Sequence, residues 1–365
     1  MSSLLDSRTT RVLITGGTGW LAQHLHLCLS TNKLYGSNVE IHLTYRNSKP
    51  EWNCPDHCHS VDIAEADVDV WGVILQSVVP DVIVHTAAIS SPVACEMDQP
   101  RAVQVNVTSP SGLVKAIKMY CPNCIFINCS TDLVYGGPDA GTVREPSIMA
   151  PYKSDPTLEQ PSSVYGRTKL AFEEVVSTLP YGVSLRLSNM IGPSHCYRAG
   201  GSKFLQWLLA SASDRNFVTL KNDERRSFVS VFDVIAVIER FVTVAVNVRS
   251  MLVVDSDSLA DLYRDSNCFR PVLNVGGPEG LSRFDLAKLV AESVDIELVV
   301  VDTDPGVSDS RAWQVASVTC EEMDANYPPK ASAPRNAIMN SDETGALLSI
   351  SFSNIKDLLQ SKRCV

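Results

Sequence analysis

Short apolar runs alternate with stretches of helical periodicity through the first half of the chain. Arg11 to Thr15 (RVLIT) reads as a buried strand, a glycine-rich turn follows, and Leu21 to Leu29 continues at helical spacing. Val39 to Thr44 reads as a second strand, Val61 closes a third, Asp81 to His85 (DVIVH) is a fourth and Cys124 to Cys129 (CIFINC) a fifth. Between the last two, Ala102 to Met119 carries apolar residues at helical intervals. Val183 to Leu187 supplies a sixth strand and Pro271 to Val275 (PVLNV) a seventh. Strands that alternate with helices of this length need right-handed crossovers, so the pattern predicts an α/β fold with a Rossmann-type doubly wound parallel sheet. A first domain is expected over 8–190, with the seventh strand near 271–276 returning to it. The remainder, 191–365, is less regular. It holds Gly-Gly and Pro punctuation, a helix expected at Phe204 to Ala212, and a stretch over 303–343 rich in Asp, Ser, Pro and Asn. It is expected to form a smaller, mixed substrate-binding region over the carboxyl ends of the strands, where open α/β sheets take their ligands.

The turn after the first strand, Thr15-Gly16-Gly17-Thr18-Gly19-Trp20-Leu21-Ala22, follows the pattern Gly-x-x-Gly-x-x-Ala, with Ala22, small enough to pack helix on sheet, where a third glycine often sits. Glycine permits positive φ and lets the backbone approach a pyrophosphate, whose charge the following helix N-terminus meets. The same turn also serves as a plain strand–helix connection, and its place after the first strand is what points to a nucleotide. The second strand ends in Thr44-Tyr45-Arg46-Asn47-Ser48-Lys49, without an acid to accept a ribose 2′-hydroxyl. Arg46 can hold a 2′-phosphate through its planar fork, which favours NADP(H) and leaves NAD(H) open.

Tyr165-Gly166-Arg167-Thr168-Lys169 opens a helical run, and a spacing of four sets phenol and ammonium on one face. A lysine cation there is expected to lower the tyrosine pKa from about 10 and make it a usable acid/base. A solvated helix face has the same spacing. Ser130-Thr131-Asp132 ends the fifth strand, where a hydroxyl can hydrogen-bond a substrate carbonyl. The three elements, in this order, point to proton transfer beside a nicotinamide.

Together these residues resemble the extended short-chain dehydrogenase/reductases. The chain is most similar to the dTDP-4-dehydrorhamnose reductase-like branch, which also includes the regulatory β subunit of methionine adenosyltransferase. The match runs from Val12 to about Ala287. The resemblance implies cofactor contacts at Gly16, Thr18, Gly19, Trp20 and Leu21, at Asp62 and Ile63 beside the adenine, and at Thr86, Ala87 and Ala88 beside the riboses. It implies catalytic roles for Thr131, Tyr165 and Lys169, the last two also touching the cofactor. Asn106-Val107 resembles the Asn-Val of the family's fourth helix. Substrate contacts are implied at Asp132, at Asn189 within LRLSNMIGP, and at Arg226 in the Arg-x-Phe…Asp pattern that ends on Asp233. Two stretches, near 136–164 and 248–270, are longer than the family's pattern. The implied activity is reduction of a keto group on a nucleotide sugar or related substrate. Two alternatives stay open: an epimerase that recycles its cofactor, and a cofactor-binding regulatory subunit.

Composition narrows the partners. Hydrophobic residues at 45% and charged residues at 20% describe a folded chain, not a disordered one. The net charge of −10 disfavours nucleic acid and anionic membranes, so an anionic small-molecule substrate must be held by local devices. No window reaches the roughly 18 apolar residues of a membrane span, and Met1 to Thr10 lacks a signal-peptide pattern. With eleven cysteines scattered through the elements, reduced thiols and a cytoplasmic location are expected. A homodimer is a further expectation, by family analogy alone. Cys54-Pro55-Asp56-His57-Cys58-His59 fits none of the paired zinc spacings, and no metal is expected. Cys121 and Cys124 have redox-motif spacing but precede a strand rather than a helix. Phe204 and Trp207, three apart on a helix, suit either the substrate cleft or the core.

Overall fold

The computed structural model describes residues 9–31, 39–136, 161–194, 196–197, 203–250, 272–301, 312–326 and 336–361. Most of the two stretches read as insertions, near 136–164 and 248–270, lies outside the described residues, as does much of 303–343.

Seven parallel strands make the central sheet: β1 (Thr10–Thr15), β2 (Val39–Tyr45), β3 (Cys58–Ser60), β4 (Val82–His85), β5 (Ile125–Thr131), β6 (Gly182–Leu187) and β7 (Val272–Val275). Their order is β7-β6-β5-β4-β1-β2-β3, so the direction of winding reverses between β1 and β4. That reversal leaves a crevice at the carboxyl ends of these two strands.

Alternation along each strand divides its side chains between two cores. Val12 and Ile14 of β1, Val82 and Val84 of β4, and Ile125 and Ile127 of β5 face one core. Leu13, Ile83 and Phe126 face the other. The first core is covered by the helices Trp20–Thr31 and Val231–Ser250, through residues such as Leu25, Ile238 and Phe241. The second is covered by Val68–Val78, Ser109–Tyr120 and Val164–Val176, through Trp71, Leu113 and Phe172. Burial on both faces is what makes these strands read as continuous apolar runs.

Beyond residue 190 the chain serves both layers. The helix Val231–Ser250 packs on the main sheet, whereas a third core joins Leu205, Leu208, Phe228, Phe284, Trp313 and Leu359. That core lies with a small parallel sheet of Val218–Lys221, Trp313–Val318 and Leu298–Val301, the middle strand being Trp313–Val318. Trp20 links the layers: its indole N–H donates to the Pro193 carbonyl at 2.9 Å.

Some expected elements differ in detail. The third strand ends at Ser60, and Val61 follows it, its N–H donating to the Tyr45 carbonyl at 2.8 Å. The helix expected from Ala102 to Met119 is three pieces, Gln99–Val103, a π-helical turn at Gln104–Thr108, and Ser109–Tyr120. The wide turn aims the buried Asn106 inward, where its amide satisfies both the N–H and the carbonyl of Ile89 and donates to Thr168 at 3.1 Å.

Candidate active site

The glycine turn is fixed by its neighbours on both sides. Gly16 sits at φ +68°, and a Cβ there would come within 3.0 Å of the Ala87 backbone. A Cβ on Gly17 would meet the Leu43 side chain at 2.7 Å. Thr44 of β2 accepts from Gly16 N–H through its hydroxyl and from Gly17 N–H through its carbonyl. Thr86 donates to the Thr15 carbonyl at 2.6 Å. Glycine at 16 and 17 thus lets the turn pack closely against Ala87 and Leu43.

A cavity of about 720 Å³ runs from this turn along the strand ends. Gly16, Thr18, Gly19, Trp20 and Leu21 line it from the turn, Arg46 from the end of β2, and Asp62 and Ile63 from beyond β3. Thr86, Ala87 and Ala88 follow β4. Thr131 and Asp132 enter from β5, Tyr165 and Lys169 from the helix Val164–Val176, and Asn189 from beyond β6. Nearly every residue expected at the site thus shares one cavity.

Arg226 does not line it. Its guanidinium is buried, 3.3 Å from the Glu224 carboxylate and 3.9 Å from that of Asp132. It neighbours Asp132 and does not border the cavity with the other expected residues. Conversely, Arg101, Ser90, Ser188 and Lys203 line the cavity without any local sequence pattern to mark them. Phe204 and Trp207 stack on each other at 5.7 Å and neither lines the cavity, Phe204 packing on the third core.

The helix that carries Tyr165 and Lys169 starts at a defined point. Ser163 accepts from Gly166 N–H at 3.0 Å, and the Glu96 carboxylate accepts from Val164 N–H at 2.8 Å. A Cβ at Gly166 would collide with the Leu133 carbonyl, so only glycine lets this first turn press against the end of β5. That contact brings the Tyr165 hydroxyl into hydrogen-bonding reach of Thr131. Thr131 also donates to Asp132 at 3.2 Å and accepts from Leu133 N–H.

One turn further on, Glu173 is buried with Arg186 of β6. The guanidinium reaches both carboxylate oxygens, the closest approach being 2.6 Å. Ser130 donates to Glu173 as well, and Arg186 donates to the Tyr135 hydroxyl, which donates to Asn274 of β7 at 2.7 Å. This network ties three adjacent strands to the helix directly behind Lys169.

The net shift of Tyr165 runs opposite to the expected one: enclosure pushes the phenol up, the nearby Asp132 carboxylate adds to the rise, and the Thr131 contact opposes it. Burial likewise pushes Lys169 down, with Cys129 and Glu173 pulling the other way. Asp132 is raised by its own burial and drawn back chiefly by Arg226. The desolvation of both partners outweighs their spacing on the helix, so Tyr165 is held as the neutral phenol across the neutral range.

His85, at the end of β4, is buried and pushed down to about 3, first by burial and then by Lys169. Its Nδ1 lies 2.9 Å from the Thr15 hydroxyl. Folded, it stays neutral where the unfolded imidazole, with an ordinary value of 6.5, takes up a proton. The stability due to neutral His85 is therefore complete above pH 6.5 and is lost as pH falls from there toward 3. The loss is at most roughly 1.4 kcal/mol per pH unit of that interval. Chemical denaturation at stepped pH checks this, and His85→Asn is expected to flatten the acid limb.

Several known proteins are similar to this chain in sequence or in fold. A dTDP-L-rhamnose 4-epimerase from Burkholderia thailandensis is 24% identical over 328 residues, which cover 80% of this chain and 82% of that protein. A dTDP-4-dehydrorhamnose reductase from Aggregatibacter actinomycetemcomitans is 27% identical over 218 residues, 59% of this chain and 61% of that protein's length. The crystal structure of a dTDP-4-dehydrorhamnose reductase from Bacillus anthracis, in complex with NADP, has the same fold, with a TM-score of 0.67 at 17% identity over 97% of this chain and 98% of the other. The model of the NAD dependent epimerase/dehydratase family matches residues 12–253, and the chain belongs to that family.

Proposed function

We propose that the protein is an NADP(H)-dependent reductase of a keto group on a nucleotide sugar. The observation that carries this reading is the meeting of Thr131, Tyr165 and Lys169 with the glycine turn on one cavity. The name of the Aggregatibacter relative and the NADP complex of the Bacillus anthracis structure agree with it.

The backbone at Gly16 and Gly19 lines the cavity ahead of the helix Trp20–Thr31, which suits a pyrophosphate. Arg46, exposed at the end of β2, suits a 2′-phosphate, and Asp62 with Ile63 borders the adenine position. Thr86 to Ala88 and Lys169 flank the ribose positions. When bound, a nicotinamide cofactor supplies the hydride. Tyr165, kept as the phenol, donates its proton to the carbonyl oxygen as negative charge gathers there. Thr131 orients that oxygen by hydrogen bonding, and Lys169 places a donor beside the phenol. Asn189, Ser188 and Lys203 border the remaining length of the cavity, where the sugar and its nucleotide diphosphate fit. Positioning these groups in a closed site supplies much of the rate.

Purified protein is titrated with NADPH and NADH by fluorescence, then challenged with a 4-keto nucleotide sugar while the nicotinamide absorbance is followed. Consumption of NADPH is the expected result. Arg46→Ala is expected to weaken NADPH about tenfold or more, the loss of a charged hydrogen bond, and to leave NADH unchanged. Epimerised sugar without net cofactor consumption would overturn the reductase in favour of the epimerase. Tight binding with no turnover of any keto-sugar nucleotide would point to a regulatory subunit.

A further inference from the structure

At the outer edge of the sheet, away from the glycine turn, β2 and β3 bring together side chains that the proposed reaction does not use. Glu40 and His42 are two apart on β2, so they share a face. The register pairs Leu43 with Cys58 and Thr44 with His59, which sets His42 beside His57, the last residue of the turn Pro55–His57. One donor atom from each of Glu40, His42 and His57 lies within 4.8 Å of the other two. His42 is buried and the other two are half-buried, so the group sits partly sheltered at the edge of the sheet.

We propose that Glu40, His42 and His57 form a binding site for a divalent transition metal of the zinc class. The donor set is two imidazoles and a carboxylate, which suits zinc with a fourth position left to water. Tetrahedral zinc at about 2.0–2.1 Å from its ligands needs them about 3.4 Å apart, so small side-chain rotations close the present spacing. The carboxylate has room for two tasks. Oε2 of Glu40 faces His57 Nε2 at 3.8 Å, whereas Oε1 lies 3.2 Å from Arg11 and 2.8 Å from His42 Nε2. Oε2 is thus the metal-facing oxygen, and Oε1 stays with Arg11.

His59 completes the arrangement. Its Nε2 lies 3.1 Å from His42 Nδ1, and two ring nitrogens at that distance must share one hydrogen. With metal on His42 Nε2, the His42 proton resides on Nδ1 and His59 accepts it. That is the outer hydrogen bond that fixes the tautomer of a ligating histidine. Neither pair reveals itself in sequence, because Glu40 and His42 come from a different strand than the Cys54–His59 segment. Bound metal would pin the three-residue edge strand to β2 and raise stability by mass action.

The full-length chain, freed of metal by a chelator, is titrated with Co²⁺ by visible absorption and with Zn²⁺ by calorimetry, together with thermal unfolding. The expected result is one Co²⁺ with a tetrahedral d–d band that Zn²⁺ abolishes, and a melting temperature raised by Zn²⁺. His57→Ala and Glu40→Gln should each weaken Zn²⁺ binding at least about tenfold, and His59→Gln by a smaller factor. Each variant is first shown to unfold like the wild type without metal. Cys54→Ser and Cys58→Ser should bind as the wild type does. Zn²⁺ binding unchanged in both His57→Ala and Glu40→Gln, or lost in Cys54→Ser, overturns the site, as does absence of binding to the wild type.

Discussion

Tyr165→Phe should abolish keto reduction while leaving NADPH affinity close to that of the wild type. The substitution removes one oxygen and keeps the ring, which packs beside Ile89 and Val164. The first turn of the helix, capped by Ser163 and pressed on Leu133 through Gly166, does not depend on the hydroxyl. What disappears is the proton donor and its contact with Thr131. General acid–base catalysis is worth about 10²–10⁴-fold, and the fall in kcat should lie in that range. Because enclosure holds the phenol protonated, wild-type reduction should stay level across neutral pH and decline only on the alkaline side. Steady-state rates against pH, with cofactor titration of the variant, check both statements. Full activity in Tyr165→Phe would remove the proposed mechanism.

The second large effect is on stability. Glu173 and Arg186 are each about 1% exposed, and neither can regain water if its partner is removed. Arg186→Met leaves a buried carboxylate whose remaining partner is Ser130, and it strips the Tyr135 hydroxyl of a donor. Breaking such a pair costs about 3–5 kcal/mol. Equilibrium denaturation should show this for Arg186→Met, and Glu173→Leu should be of similar size. The double variant should lose much less than the sum, since an apolar pair replaces the ion pair without a stranded charge. An additive double variant would mean that the two residues act independently.

The pair also has a functional consequence. Glu173 is one helical turn from Lys169 and is among the groups that favour its charged form. The scaffold that holds three strands together is therefore continuous with the proposed catalytic face. Damage to the network should reach both stability and turnover.

The sequence by itself determined the central sheet. Its strands are buried on both faces, so Val12 to Ile14 and Val82 to Val84 appear as unbroken apolar runs, and the helices between them dictate parallel pairing. The glycine turn was legible for the same reason, since Gly16 and Gly17 have no room for a Cβ and the chemistry of close approach is written in the residue type. Thr131, Tyr165 and Lys169 were legible because strand ends and a spacing of four are local properties. What depends on distant residues was not. The helix Val231–Ser250 is apolar around much of its girth because it is packed into the sheet's core, so it lacks a clean one-sided stripe. Arg226 is legible as a residue type, but the placing of its guanidinium beside Glu224 and Asp132 depends on the fold. The direction of the Tyr165 shift rests on desolvation, which exists only once β5 and the helix have met. Glu40, His42 and His57 face one another only through the β2–β3 register. Local pattern specifies which elements form, because period and backbone sterics act over a few residues. Burial, ion pairing and ligand geometry are sums over segments far apart in the chain, and only the folded tertiary structure sets them.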